Sequence, residues 1–230
     1  GIYDRLDRPR ESLSEYRHAA QADRANSTYQ HRAGVAAREM RRLSEATGLL
    51  HEAVELEPDR ADWAFDLASA LDAQGRTEEA WASCQRAVEL APEDAPYRAL
   101  AGRILRRLGR GGEAEVHLRK ALELDPNFAE PHYELGRVLE DQGATEEAAD
   151  QYQAAISLEP SEGRFHQGLG AARARMGLLD AAEASLNRAL ELDPALAAAK
   201  ADLGAVYEQL GRHADALRLY EEAASVAPGE

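Results

Sequence analysis

Six of the nine prolines in this 230-residue chain stand 34 residues apart, at Pro58, Pro92, Pro126, Pro160, Pro194 and Pro228. Each closes a similar phrase: Leu56-Glu57-Pro58, Leu90-Ala91-Pro92, Leu124-Asp125-Pro126, Leu158-Glu159-Pro160, Leu192-Asp193-Pro194 and Val226-Ala227-Pro228. A register held over six periods without an insertion restricts the chain to a repeat architecture. In such folds each unit is one supersecondary element that buries its apolar face against its neighbours.

Other columns lock to the same period. One alanine column is Ala46, Ala80, Ala114, Ala148, Ala182 and Ala216; a second is Ala53, Ala87, Ala121, Ala155, Ala189 and Ala223. A small-residue column reads Gly34, Ala68, Gly102, Gly136, Gly170 and Gly204, and a larger one reads Leu50, Cys84, Leu118, Tyr152, Leu186 and Tyr220. A glycine recurs between them at Gly75, Gly109, Gly143, Gly177 and Gly211, with Arg41 in its place in the first full unit. Within a unit, Leu135, Val138 and Leu139, then Ala148, Tyr152, Ala155 and Ile156, follow the i, i+3, i+4 spacing of amphipathic helices. The intervening glycine suits a left-handed helix cap. The small column suits two helices crossing closely. The proline cannot continue a helical ladder. Each unit therefore reads as helix–turn–helix.

The period, together with Tyr133, Leu135-Gly136, Leu139, Gly143, Ala148, Tyr152, Ala155 and Pro160 within residues 129–162, resembles the tetratricopeptide (TPR) repeat. Six full units run 27–60, 61–94, 95–128, 129–162, 163–196 and 197–230, forming a single array over 1–230. Residues 1–26 match the end of a further unit, with Tyr3, Leu6, Ser12, Tyr16 and Ala19 in register and Arg24 in place of the proline. The resemblance implies an all-α fold, a right-handed superhelical solenoid of paired helices. The large aromatic expected fourth in each unit is Gln30, Ala64, Arg98, His132, His166 and Lys200, which should loosen the packing between repeats; Arg173 takes an apolar slot in the fifth. An array that begins inside a unit reads as a stretch of a longer one.

Composition excludes several functions. With 27 Lys+Arg against 42 Asp+Glu the net charge is −15, which repels phosphate backbones and argues against nucleic acid as a partner. No apolar run approaches the ~20 residues that span a bilayer, and residues 1–20 are too charged for a secretory leader, so no direct membrane insertion is expected. The compartment stays open: a soluble chain, cytoplasmic or periplasmic. Lysine occurs only at Lys120 and Lys200, and heavy Arg and Ala usage points to a GC-rich, bacterial genome.

No catalytic motif emerges, and no cofactor is expected. The Gly109-Arg110-Gly111-Gly112 run falls in an inter-helix turn and lacks the strand and the Gly-Lys-Ser/Thr of a phosphate loop. His132 and His166, one period apart, have no third ligand and read as packing residues. The single cysteine, Cys84, shares a core column with Leu and Tyr and reads as a small hydrophobe. Asn26-Ser27-Thr28 is an accidental glycosylation sequon.

The remaining signal is surface. In TPR proteins the first helix of each unit lines a concave groove that holds a partner segment. Carried over by position, the groove columns offer Phe65 and Asp72, then Arg103, Arg106 and Arg107, then Glu130, Tyr133, Arg137, Glu140 and Asp141, then Arg164, Gln167 and Arg175. An acidic or carboxylate-bearing peptide held by Arg103, Arg106, Arg107, Arg137 and Arg164, with Phe65 and Tyr133 as apolar anchors, is one expectation. The competing one is a ladder of ion pairs between stacked repeats, Arg106 and Arg107 with Glu140 and Asp141, and Arg175 with Asp141. The fixed Lys and Asn of chaperone-tail clamps have no counterpart. Nor has the asparagine ladder of O-linked sugar transferases, whose column reads Arg32, Asp66, Leu100, Glu134, Gly168 and Asp202. The acidic excess falls on second helices, at Glu78-Glu79, Glu146-Glu147 and Glu221-Glu222, where it solvates the outer face.

The sequence thus reads as a non-enzymatic protein–protein interaction scaffold that binds a partner peptide or segment in its groove. The alternatives are the substrate-recognition region of a larger glycosyltransferase or sulfotransferase, and a scaffold that self-associates end to end through apolar surface at Leu217, Tyr220 and Val226.

Overall fold

The computed structural model describes residues 9–23 and 25–226. Tyr3, Leu6, Arg24, Ala227 and Pro228 lie outside them, as do the side chains of Ser12 and Val226. The described residues form thirteen helices and no strand. They divide into two compact units, one ending at Leu124 and the next beginning at Asp125.

The first unit holds α1 (Pro9–Ala22), α2 (Ser27–Glu39), α3 (Leu43–Leu56), α4 (Ala61–Ala73), α5 (Thr77–Leu90), α6 (Ala95–Arg107) and α7 (Gly111–Leu124). The second holds α8 (Ala129–Asp141), α9 (Thr145–Leu158), α10 (Gly163–Arg175), α11 (Leu179–Leu192), α12 (Ala197–Gln209) and α13 (His213–Val226). Within each unit every helix packs against the next in chain order. Alternate helices also touch: α2 with α4 and α4 with α6, then α8 with α10 and α10 with α12. In each unit first helices therefore make one layer and second helices the other, which leaves first-helix side chains to line a face of that unit.

The turns form as the columns predict. Gly75, Gly109, Gly143, Gly177 and Gly211 all have φ between 72 and 83°. Beside Gly75, the Arg76 N–H donates to the Leu71 carbonyl five residues back, at 3.0 Å. This is the Schellman arrangement. Arg41 adopts the same left-handed turn at φ 56°, with the Arg42 N–H on the Ala37 carbonyl at 2.9 Å, so an L-residue carries a conformation that costs it about 1 kcal/mol. The prolines act one step earlier than a simple helix stop. Helices end at Leu56, Leu158 and Leu192, and the residue between helix and proline is already extended, with Glu57 at φ −132°, ψ 82°. A proline clashes with a helical residue before it, so that residue leaves the ladder first.

The two alanine columns are buried without exception through the first five full repeats. The small column is a packing requirement. A Cβ on Gly136 would stand 2.6 Å from Tyr152 Cε1, and one on Gly102 2.4 Å from Leu118 Cγ. The second full repeat solves the same contact with more even sizes. Ala68 carries the Cβ, and Cys84 facing it is the smallest member of the large column; both are fully buried. Burial pushes the Cys84 thiol up to about 12, which agrees with its reading as a small hydrophobe.

Two outcomes follow from this pairing. Cys84→Leu should destabilise the chain by roughly 1–3 kcal/mol through overpacking, and Ala68→Gly in the same chain should recover most of that loss, measured as a double-mutant cycle by thermal unfolding. At about pH 8 the native thiol should stay unreactive to dithionitrobenzoate for hours, while the urea-unfolded chain reacts in full. Prompt native labelling would refute the buried assignment.

Candidate functional site: the first-helix face

In the first unit, the face is organised by one acid. Asp72 sits in the last turn of α4 and is only 4% exposed. Two arginines of α6 converge on it. Arg103 places Nη2 3.0 Å and Nε 3.1 Å from Oδ2; Arg107 places Nη1 2.6 Å from Oδ1 and 2.9 Å from the Asp72 carbonyl. A carboxylate removed from water needs such compensation, and two guanidiniums supply it. Their side chains remain 34% and 38% exposed, so part of each cationic fork faces solvent. Arg106 lies on the same last turn of α6 and is half-buried. Phe65, on α4, stacks on Tyr97 of α6 with ring centroids 4.8 Å apart.

On the same helix, Asp66 is held from the preceding repeat by His31 (2.7 Å) and Arg38 (3.0 Å) of α2, and His31 stacks on Trp63 at 4.9 Å. The face of the first unit is thus a series of acids on one first helix met by cations on the helix beside it.

The second unit repeats the device with different residues. Arg164 at the start of α10 grips Glu130 of α8 in a bidentate pair, at 2.6 and 3.2 Å. Burial works against the Arg164 charge, yet Glu130 holds its pKa above the ordinary value. The same guanidinium lies over the rings of Tyr133 (5.0 Å) and Phe165 (4.9 Å). Tyr133 is only 8% exposed; it packs against Tyr152 and Phe165 and forms a floor beneath Arg164 and Arg137, whose guanidinium lies 5.7 Å from its centroid. Arg137 also stands 4.0 Å from the buried Glu134. Glu140 takes Arg175 at 2.8 Å on one oxygen and the Tyr152 hydroxyl at 2.6 Å on the other. Burial, and then the bond to Glu140, push the Tyr152 hydroxyl above its ordinary pKa. Gln167 donates to Asp202 at 2.5 Å, and burial raises the Asp202 carboxyl.

The candidate residues therefore fall into two groups, each within its own unit: Phe65, Arg103, Arg106 and Arg107 in the first, and Tyr133, Arg137 and Arg164 in the second. Within each unit, ion pairs and hydrogen bonds join neighbouring repeats. Arg103 and Arg107 pair backward to Asp72 in the preceding repeat, and Arg175 pairs with Glu140, 35 residues back. His31–Asp66 and Gln167–Asp202 share that offset of 35, one beyond the repeat period. Asp72 as the centre of the first group was missed. The signal was available: an acid at the twelfth position of one repeat, followed by arginines at the ninth and thirteenth of the next.

The other sequence candidates are structural. Nδ1 of His132 bonds Gln151 at 2.8 Å, and Nε2 of His166 bonds the Pro160 carbonyl at 3.0 Å. Among the described residues no group of His, Cys, Asp and Glu could hold a metal ion, and no helix is long and apolar enough to cross a membrane. At the end of the second unit, Leu217 of α13 is 60% exposed, while Tyr220 donates its hydroxyl to Glu208 at 3.1 Å.

With this geometry in place, comparison with known proteins gives the class. Sequence profiles described as tetratricopeptide repeat match residues 37–104, 129–162 and 168–230, and one described as TPR repeat matches 102–143. The chain belongs to the tetratricopeptide repeat family, whose fold is a protein–protein interaction scaffold. Among solved structures it is similar to the APC/C hetero-tetramer Cut9–Hcn1, with a TM-score of 0.85 at 18% identity over 96% of this chain and 44% of that one. The chain thus spans less than half the length of that relative. It is similar to MamA (41-end) from Desulfovibrio magneticus RS-1, with a TM-score of 0.62 at 21% identity over 73% of this chain and 95% of that one. It is also similar to YrrB, described as a TPR protein with an unusual peptide-binding site, with a TM-score of 0.57 at 25% identity over 79% and 93% of the two chains. Comparison with curated protein sequences gave no match.

The Asp72 cluster should respond asymmetrically to mutation. Removing the cations in Arg103→Ala/Arg107→Ala strands a buried carboxylate and should cost about 3 kcal/mol or more. Asp72→Ala leaves two partly solvated arginines and should cost clearly less. Urea unfolding of the full chain followed by circular dichroism compares them; equal losses would refute the account.

Proposed function

We propose that the chain is a non-enzymatic interaction module whose first-helix face holds an extended partner segment, and that the segment is acidic. The observation that carries the second part is the pair of arginines on Asp72. Each keeps about a third of its side chain exposed after meeting that acid, so the cluster presents cationic surface that a partner carboxylate can approach while Asp72 stays neutralised. Arg106 extends this cationic edge by one position. The Phe65–Tyr97 stack beside it supplies an apolar contact, as hot spots often combine aromatic and Arg side chains. In the second unit Arg137, lying over Tyr133 and 40% exposed, is the corresponding cation, and Arg164 is more firmly committed to Glu130. The likeness to YrrB, a protein described by its peptide-binding site, supports a peptide as the ligand class. A preformed face of packed helices lets the receptor bind without ordering itself, so the ordering cost falls on the partner.

The test uses labelled Asp- and Glu-rich peptides with the whole chain. Binding should weaken as salt rises. Arg106→Glu/Arg137→Glu, which spares the residues that neutralise Asp72, should weaken it at least about tenfold. Affinity and salt dependence unchanged in that variant would discard the acidic-segment reading.

A further inference from the structure

Away from the acid–arginine series of the first-helix face, a cavity of about 540 Å³ lies between α1 and α3, with Gln30 of α2 in its lining. Gln30 occupies the fourth position of its unit, where the resemblance leads one to expect a large aromatic ring. Gln30 is only 4% exposed, and among the described residues its Oε1 has no hydrogen-bond partner. Buried amide oxygens are nearly always satisfied, so an orphan acceptor in a cavity wall calls for a donor from outside.

The rest of the lining defines that donor. Glu45 is already answered: Arg17 Nη1 lies 3.1 Å from one oxygen, and Arg42 Nε lies 2.8 Å from the other, close enough to neutralise it although not aligned as a hydrogen bond. Glu52 and Glu55 add two exposed carboxylates, Glu55 with the His51 ring 3.6 Å away, so three acids stand against the two guanidiniums of Arg17 and Arg42. Leu49 and Leu56 give an apolar wall. An acceptor, an apolar wall and excess negative charge suit a cation with N–H donors on a hydrocarbon stem, and they disfavour an anion.

We propose that this cavity is a binding site for an alkylammonium group, with its N–H on Gln30 Oε1, its stem along Leu49 and Leu56, and its charge matched by Glu52 and Glu55. The group can come from a free diamine or from a lysine side chain of a partner segment. The site is independent of the acidic-segment reading: it lies on different helices and selects the opposite charge.

Calorimetric titration of the full chain with cadaverine and with capped lysine amide tests it, with 1-pentanol as the uncharged control. Both amines should bind and weaken with salt, pentanol should not bind, and the Gln30 side-chain amide resonance should shift on addition of amine. Capped lysine binding as well as cadaverine assigns the site to a side chain; cadaverine at least about tenfold tighter assigns it to a free diamine. Gln30→Leu should lower amine affinity about tenfold, and Glu52→Gln/Glu55→Gln, a surface change that leaves the packing intact, should lower it measurably. The proposal is overturned if neither amine binds up to ~10 mM, if pentanol binds equally, or if both variants retain full affinity.

Discussion

Everything in this chain depends on how closely the two helices of a repeat approach. Gly136 has no room for a Cβ because the Tyr152 ring fills the crossing, and Gly102 has none because Leu118 does. Each crossing keeps one side small: glycine against leucine or tyrosine in five repeats, and alanine against the smallest of the facing residues, cysteine, in the second. Helix packing at near-crystalline density leaves little room for a second large side chain there. Once the crossing is set, the second alanine column, the left-handed turn and the extended residue before each proline follow, since each is the geometry that lets the next pair dock in the same way.

The same stacking sets the electrostatics. Neighbouring first helices lie side by side within each unit, so a charged residue on one is answered on the next. Asp72 with Arg103 and Arg107, Glu130 with Arg164, and Glu140 with Arg175 are instances of one device. The arginines differ in how they are bonded. Arg164 makes a bidentate pair with one acid above two aromatic rings, whereas Arg103 and Arg107 converge on a single acid. An arginine count in the groove columns does not distinguish these arrangements.

Much of the fold was legible beforehand, because a repeat states each packing rule six times. Helix limits, turn conformation and the buried alanines all follow from columns that any one unit would leave ambiguous. Two departures were also informative. Arg41 was read as a missing turn glycine, and the backbone keeps the left-handed turn regardless, since five neighbours of the same geometry over-determine it. The missing fourth-position aromatics were read as looser packing, and one of those residues, Gln30, lines a cavity. The functional face was less legible. Tyr133 was placed as an anchor by its column, and it lies beneath Arg137 and Arg164 as their floor, because a column assigns a side to a residue and not a depth.

The sequence by itself determined the class of fold, the length and pairing of the helices and the residues that must be small. These are properties of local spacing and of contacts repeated at a fixed offset, which a linear string records directly. Only the tertiary structure decided which acid each arginine meets, how far each arginine stays exposed and where a buried acceptor is left unmet. Those outcomes turn on the register between neighbouring helices, with partners 31, 34 or 35 residues apart, and on the rotamers that carry a guanidinium forward or back. No periodicity encodes that choice, because it is made by the packing of side chains on one helix against those of another.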